Sequence, residues 1–179
     1  MALSVIDSFS RALIDLAAEK QEVALIRRMA EVIAPVVKLP EVRQFLNHPL
    51  VNATDKKTFL SKVLPPEAPQ EMINFFHLLI DRRHTALLPD ICERVIDLGF
   101  QAEGFEVVTA ITARELNPEE EDELRQSLET RWSTRVFLKK RHNPGLIGGI
   151  VIQREDRLYD GSILGRIKNL RRILTEQSV

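Results

Sequence analysis

Three glycine pairs, an acidic run, four histidines and one cysteine are where side-chain types alone suggest chemistry in this 179-residue chain. A phosphate cradle needs backbone N–H groups exposed by glycine and a lysine aimed into them. Gly99 and Gly104 have a suitable gap, but Phe105 stands where that lysine would be needed. Gly145-Leu146-Ile147-Gly148-Gly149 enters a strand and lacks a following Lys-Ser or Lys-Thr. Gly161-Ser162-Ile163-Leu164-Gly165-Arg166 opens a helix and reads as a turn and cap rather than an anion site. The acids Glu119-Glu120-Glu121-Asp122-Glu123 are consecutive, so on a helix they point around the axis and do not converge on a cation. In a first turn they favour the helix dipole instead. His48, His77, His84 and His142 show no metal-ligand spacing with carboxylates or with Cys92. Cys92, within a helix-entry pattern, reads as a small buried side chain. With no Gly-x-Ser-x-Gly elbow either, the expectation is no catalytic, cofactor or metal site: not an enzyme.

The elements around these residues fall into two kinds. From Leu3 to about Gly104 apolar residues recur at helical spacing between breakers. Val5, Phe9, Ala12, Leu13 and Leu16 form one stripe, and Val23, Ile26, Ala30, Ile33 and Val37 a second. A short helix from Glu41 to Leu46 stops at Asn47-His48-Pro49. Asn52 or Thr54 caps the next, which ends at Pro65-Pro66; a fifth runs from about Ala68 to Arg82, and a sixth starts near Thr85. Short connections predict a compact antiparallel bundle of about six helices.

Composition then changes. Phe105 to Thr112 is rich in β-branched residues and reads as a strand. Asn117-Pro118-Glu119-Glu120 combines a cap, a first-turn proline and a capping-box glutamate, opening a helix with Leu124, Leu128 and Trp132 inward. Further strands are predicted over Arg135–Lys139, Leu146–Gln153 and Arg157–Tyr159, with a turn at Arg154-Glu155-Asp156. Ser162 caps a final helix predicted to turn Ile163, Ile167, Leu170 and Leu174 inward, with Arg171 and Arg172 in its last turns. The fold class is α+β: a helical bundle over residues 1–104, then a small α/β domain over 105–179.

Bulk composition is that of a soluble globular protein, 44% hydrophobic and 28% charged, and its net charge of −1 advertises no nucleic-acid partner. No stretch approaches the apolar length of a membrane span, and the start has neither a signal peptide nor transit-peptide character. The chain reads as cytoplasmic. Basic Arg135, Lys139, Lys140 and Arg141 raise RNA binding, but Phe137 is the single aromatic among them and nearby acids offset them.

The apolar stripes offer more. Phe9, Ala12, Leu13 and Leu16 share one broad side of the first helix, where small Ala12 lets another backbone approach. Phe75 and Phe76 are adjacent, so their rings point in different directions, one inward and one toward an external groove. A helix laid between two such helices is a common recognition mode.

Together these residues resemble the delta subunit of bacterial F-type ATP synthases, whose mitochondrial counterpart is the oligomycin-sensitivity-conferring protein. The likeness covers nearly the whole chain. It is strongest where Leu146-Ile147-Gly148-Gly149, Asp156, Asp160-Gly161-Ser162 and Gly165-Arg166 fit the family's C-terminal signature. Phe45-Leu46-Asn47-His48-Pro49, Asn74-Phe75 and Leu88-Pro89-Asp90-Ile91 look like its helical landmarks. The chain departs from the pattern at the N-terminus, where Ile6-Asp7-Ser8-Phe9-Ser10-Arg11-Ala12-Leu13 replaces the usual Arg-x-Tyr-Ala and Phe9 keeps the ring without the hydroxyl, and at Asn143, where an aspartate is common.

The resemblance implies a non-catalytic stator subunit, one copy per complex, joining the catalytic head to the peripheral stalk. It implies that the helical domain binds N-terminal helices of the alpha subunits between its first and fifth helices, and that the C-terminal domain meets the b subunits. On that basis Phe9, Ala12, Leu13, Leu16, Phe75 and Leu78 are the expected groove residues. Gly148, Gly149, Asp160, Gly161 and Ser162 are expected to shape the α/β domain. The place implied is peripheral, at the cytoplasmic face of the plasma membrane. The rival reading is a helix-binding adaptor of similar architecture outside the synthase.

Overall fold

A computed structural model describes residues 2–167, and the chain divides into two compact units, Met1–Glu103 and Gly104–Val179. The first contains α1 (Ala2–Glu19), α2 (Val23–Lys38), α3 (Pro40–Asn47), α4 (Ala53–Val63), α5 (Gln70–Asp81) and α6 (Leu88–Ala102). A single 3-10 turn, Thr85–Leu87, precedes α6, so the helix predicted from Thr85 begins three residues later, with Pro89 in its first turn. Asn52 caps α4: its side chain accepts from the Asp55 N–H at 2.7 Å.

Helix α6 is the spine of this unit. Both α1 and α2 lie along it, and Ile91, Val95, Ile26 and Ile33 are fully enclosed between them. Gly99 permits the closest approach, since a Cβ there would stand 2.8 Å from the Cβ of Arg27. Arg27 turns its guanidinium over the Phe100 ring at 4.1 Å and pairs with Glu103 and Glu31 at 2.6 and 2.8 Å. Cys92 is buried, as read from the sequence, and burial pushes its thiol up to about 12.

In the second unit β1 (Phe105–Thr112), α7 (Pro118–Trp132), β2 (Arg135–His142), β3 (Ile150–Arg154) and β4 (Arg157–Asp160) form a sheet of order β2-β1-β3-β4. β1 and β2 are parallel and joined through α7; β3 pairs antiparallel with both β1 and β4. Alternate residues of the strands face α7, and Val108, Ala110, Val136, Leu138 and Ile152 close a core against Leu128. The predicted capping box is formed: Glu120 N–H donates to Asn117 and the Asn117 N–H to Glu120.

Two expectations for this unit are corrected. The third strand begins at Ile150, not at Leu146. Asn143 bends the chain first, its side chain accepting from the Gly145 N–H at 2.9 Å and its carbonyl from Leu146 N–H. Gly149 then takes φ 82°, outside the strand region. Ile163 and Ile167, expected to face inward, are 46% and 50% exposed. Leu170, Arg171, Arg172 and Leu174 lie outside the described residues.

Candidate functional site

The site is built from the side of α1 that the core does not use. Ser10, Leu13, Ile14 and Ala17 turn inward, and the Ser10 hydroxyl donates to the Ile91 carbonyl of α6 at 3.3 Å. Asp7 adds an ion pair to Arg94 of α6 at 2.7 Å. With the inner face so committed, Phe9, Ala12 and Leu16 point outward, toward α5. On α5 the neighbouring rings part as expected: Phe76 is fully buried, while Phe75 lines the outer furrow.

Because α1 rests on α6 and touches α5 sparingly, an open furrow of about 610 Å³ remains between α1 and α5. All six residues named from the sequence line it: Phe9, Ala12, Leu13, Leu16, Phe75 and Leu78. Leu13 and Phe75 form the floor, 3% and 9% exposed, and Leu16 and Leu78 are the exposed walls. The Phe9 ring stands edge-on to Phe75 and to His84, with centroids 6.4 and 5.5 Å apart.

Sequence reasoning did not assign Ser8, Lys20, Glu71 and Asn74 to the groove, whose lining they complete. Ser8, Glu71 and Asn74 are each four residues from a named position on the same helix, the spacing that shares a face, and Lys20 follows Leu16 by four just past the end of α1. Each already has a partner. Ser8 donates to the Ser4 carbonyl, Asn74 accepts from Gln70, and Lys20 pairs with Glu71 across the furrow. What is left for an occupant is mainly apolar surface.

In the second unit the named glycines and their neighbours form one lock. Gly149 brings its backbone so close to Gly161 and Ser162 that a Cβ would stand 2.6 Å from the Gly161 carbonyl oxygen. Gly161 N–H donates to the Ile150 carbonyl, and Ile163 N–H to the Gly148 carbonyl. Asp160 accepts from Ser162 N–H at 2.8 Å, and the Ser162 hydroxyl oxygen accepts from Gly165 N–H at 3.0 Å, the predicted cap. A Cβ on Gly165 would fall 2.4 Å from the Asp160 carboxylate. Gly148, Gly149, Asp160, Gly161 and Ser162 thus meet at one junction. The Ser162 hydroxyl, buried there, serves as the cap.

The family model for the ATP synthase delta (OSCP) subunit matches residues 5–174. The chain belongs to that family. An ATP synthase subunit delta from Carboxydothermus hydrogenoformans is 32% identical over 96% of this chain and 97% of the relative. One from Gloeothece citriformis is 30% identical over 95% and 94%. In fold, the chain is similar to one in a cryo-EM structure of the Toxoplasma gondii mitochondrial ATP synthase hexamer, with TM-score 0.73 and 18% identity over 95% of this chain and 97% of that one. Membership makes this chain a non-catalytic stator subunit of an F-type ATP synthase, a peripheral component of the complex. Among the described residues no helix is long and apolar enough to cross a membrane.

Proposed function

We propose that the chain ties the catalytic head of the synthase to its peripheral stalk, with one copy per complex at the cytoplasmic face of the plasma membrane. The six helices of the first unit act as one bundle whose α1/α5 furrow receives an amphipathic N-terminal helix of an alpha subunit. The second unit meets the b subunits. Rotation of the central shaft exerts a counter-torque on the head, and a brace against it needs apolar contact area and slow dissociation rather than reactive groups. The observation that carries this reading is the furrow, whose exposed walls are the apolar side chains Leu16 and Leu78.

The test is titration of the purified chain with a synthetic peptide of the alpha-subunit N-terminus, followed by fluorescence anisotropy. Ala12 is exposed, so Ala12→Asp leaves the bundle folded while placing a charge in the furrow. Binding is expected to be abolished. Unchanged affinity removes α1 from the site.

A further inference from the structure

We infer that an apolar hollow at the head of α7 seats the end of a stalk helix that carries lysine or arginine beside an apolar stripe. The inference rests on the reading that the second unit meets the peripheral stalk, and it supplies the place and the chemistry of that contact. The hollow has a volume of about 640 Å³, and Leu116, Leu124, Leu146, Ile147 and Ile150 give it its apolar lining. Ile147 is 69% exposed. Ile163, also exposed, leans over Gly148 of the same hollow and widens the apolar surface: a Cβ on Gly148 would stand 2.9 Å from its Cδ1.

The polar groups within the hollow already have partners. Arg114 pairs with Glu120, and the Glu120 carboxylate also accepts from the Asn117 N–H at 3.0 Å. At the rim the charges are unequal. Glu121 and Asp122 pair with Lys140 and Arg125 at 2.6 and 2.8 Å. Glu115, Glu119 and Glu123 are exposed and form no ion pair among the described residues. Glu119 and Glu123 are one helical turn apart and flank the lining pair Glu120 and Leu124.

An apolar floor under an anionic rim selects its occupant by two independent criteria. The floor rejects a fully polar segment, because burying unpaired polar groups is costly. The rim repels nucleic acid and anionic lipid and draws in cations, raising the association rate and fixing orientation. A helix end with aliphatic residues flanked by lysine or arginine meets both conditions.

The experiment uses the full chain and recombinant peripheral-stalk b subunits as the probe, with affinity measured at two salt concentrations. Ile147→Asp is expected to weaken capture by at least about tenfold, as loss of a central apolar contact does. The double variant Glu119→Gln/Glu123→Gln is expected to weaken it about threefold to tenfold and to flatten the salt dependence. Leu50→Asp, exposed on the first unit and outside both surfaces, is expected to leave stalk binding unchanged. Trp132 fluorescence melts check that the second-unit variants are folded, and the glutamine pair decides the matter if Ile147→Asp is not. Stalk binding by the wild type that neither variant weakens overturns the hollow while leaving the stalk reading intact. A wild-type chain that captures no b subunit overturns both.

Discussion

In the furrow between α1 and α5 the surface is made by the ends of side chains, whereas at the junction of β3, β4 and the final helix it is made by backbone meeting backbone. The walls Leu16 and Leu78 have solvent on one side, so their size and polarity can change without disturbing the packing of the bundle. At Gly149 there is no such freedom. Its φ of 82° and the 2.6 Å approach to the Gly161 carbonyl leave no room for any side chain. The first surface thus tolerates substitution, and the second does not.

The contrast is broken most strongly inside each unit. Phe76→Ala, which empties a fully buried site one residue from the furrow floor, is expected to cost about 3–5 kcal/mol. Denaturant titration followed by thiol labelling of Cys92 checks this, because that buried thiol reacts only when the first unit opens. Gly149→Ala is expected to cost about 2–3 kcal/mol through strain at positive φ and the steric clash, read as an earlier transition of Trp132 fluorescence in the second unit. A Cys92 transition displaced by as much would mean that the two units do not unfold separately. Ser162→Ala, which removes a helix cap at the same junction, is expected to cost about 1 kcal/mol by the same Trp132 readout.

Leu78→Ala sharpens the comparison from the other side. Stability should change by only about 0.5 kcal/mol, since the side chain is 42% exposed, while affinity for the alpha-subunit peptide falls severalfold in anisotropy titrations. The smallest effect concerns acid. Arg114, and then the Asn117 N–H, hold the Glu120 carboxyl down to about 2, from an ordinary value of 4.5. A carboxylate more acidic in the folded than the unfolded chain contributes stability above pH 4.5 and loses it as pH falls toward 2. Melting of the second unit in Glu120→Gln should therefore depend less on pH across that window than in the wild type.

Local chemistry was the most legible part of the sequence. The caps at Asn52, Asn117 and Ser162 follow from side-chain groups within three residues of the N–H they serve, so no tertiary information is needed. The divergence of Phe75 and Phe76 follows from helical geometry alone. Features decided by distant residues were not legible. Leu146 has strand-like neighbours, yet the bend at Asn143 and the close approach of Gly149 to Gly161 delay the strand to Ile150. Ile163 and Ile167 have the spacing of an inward stripe but remain exposed. Ser10 reads as a polar interruption of α1, and only the Ile91 carbonyl, 81 positions away in the chain, explains its burial.

That buried hydroxyl has a mechanical consequence. Sliding α1 along α6 by one turn would strand Ser10 against aliphatic surface and pull Asp7 from Arg94, so the two helices are keyed like a shaft and its hub. A tug on Phe9 or Leu16 is then passed to the spine of the bundle through that hydrogen bond and ion pair, and slippage between the helices breaks both.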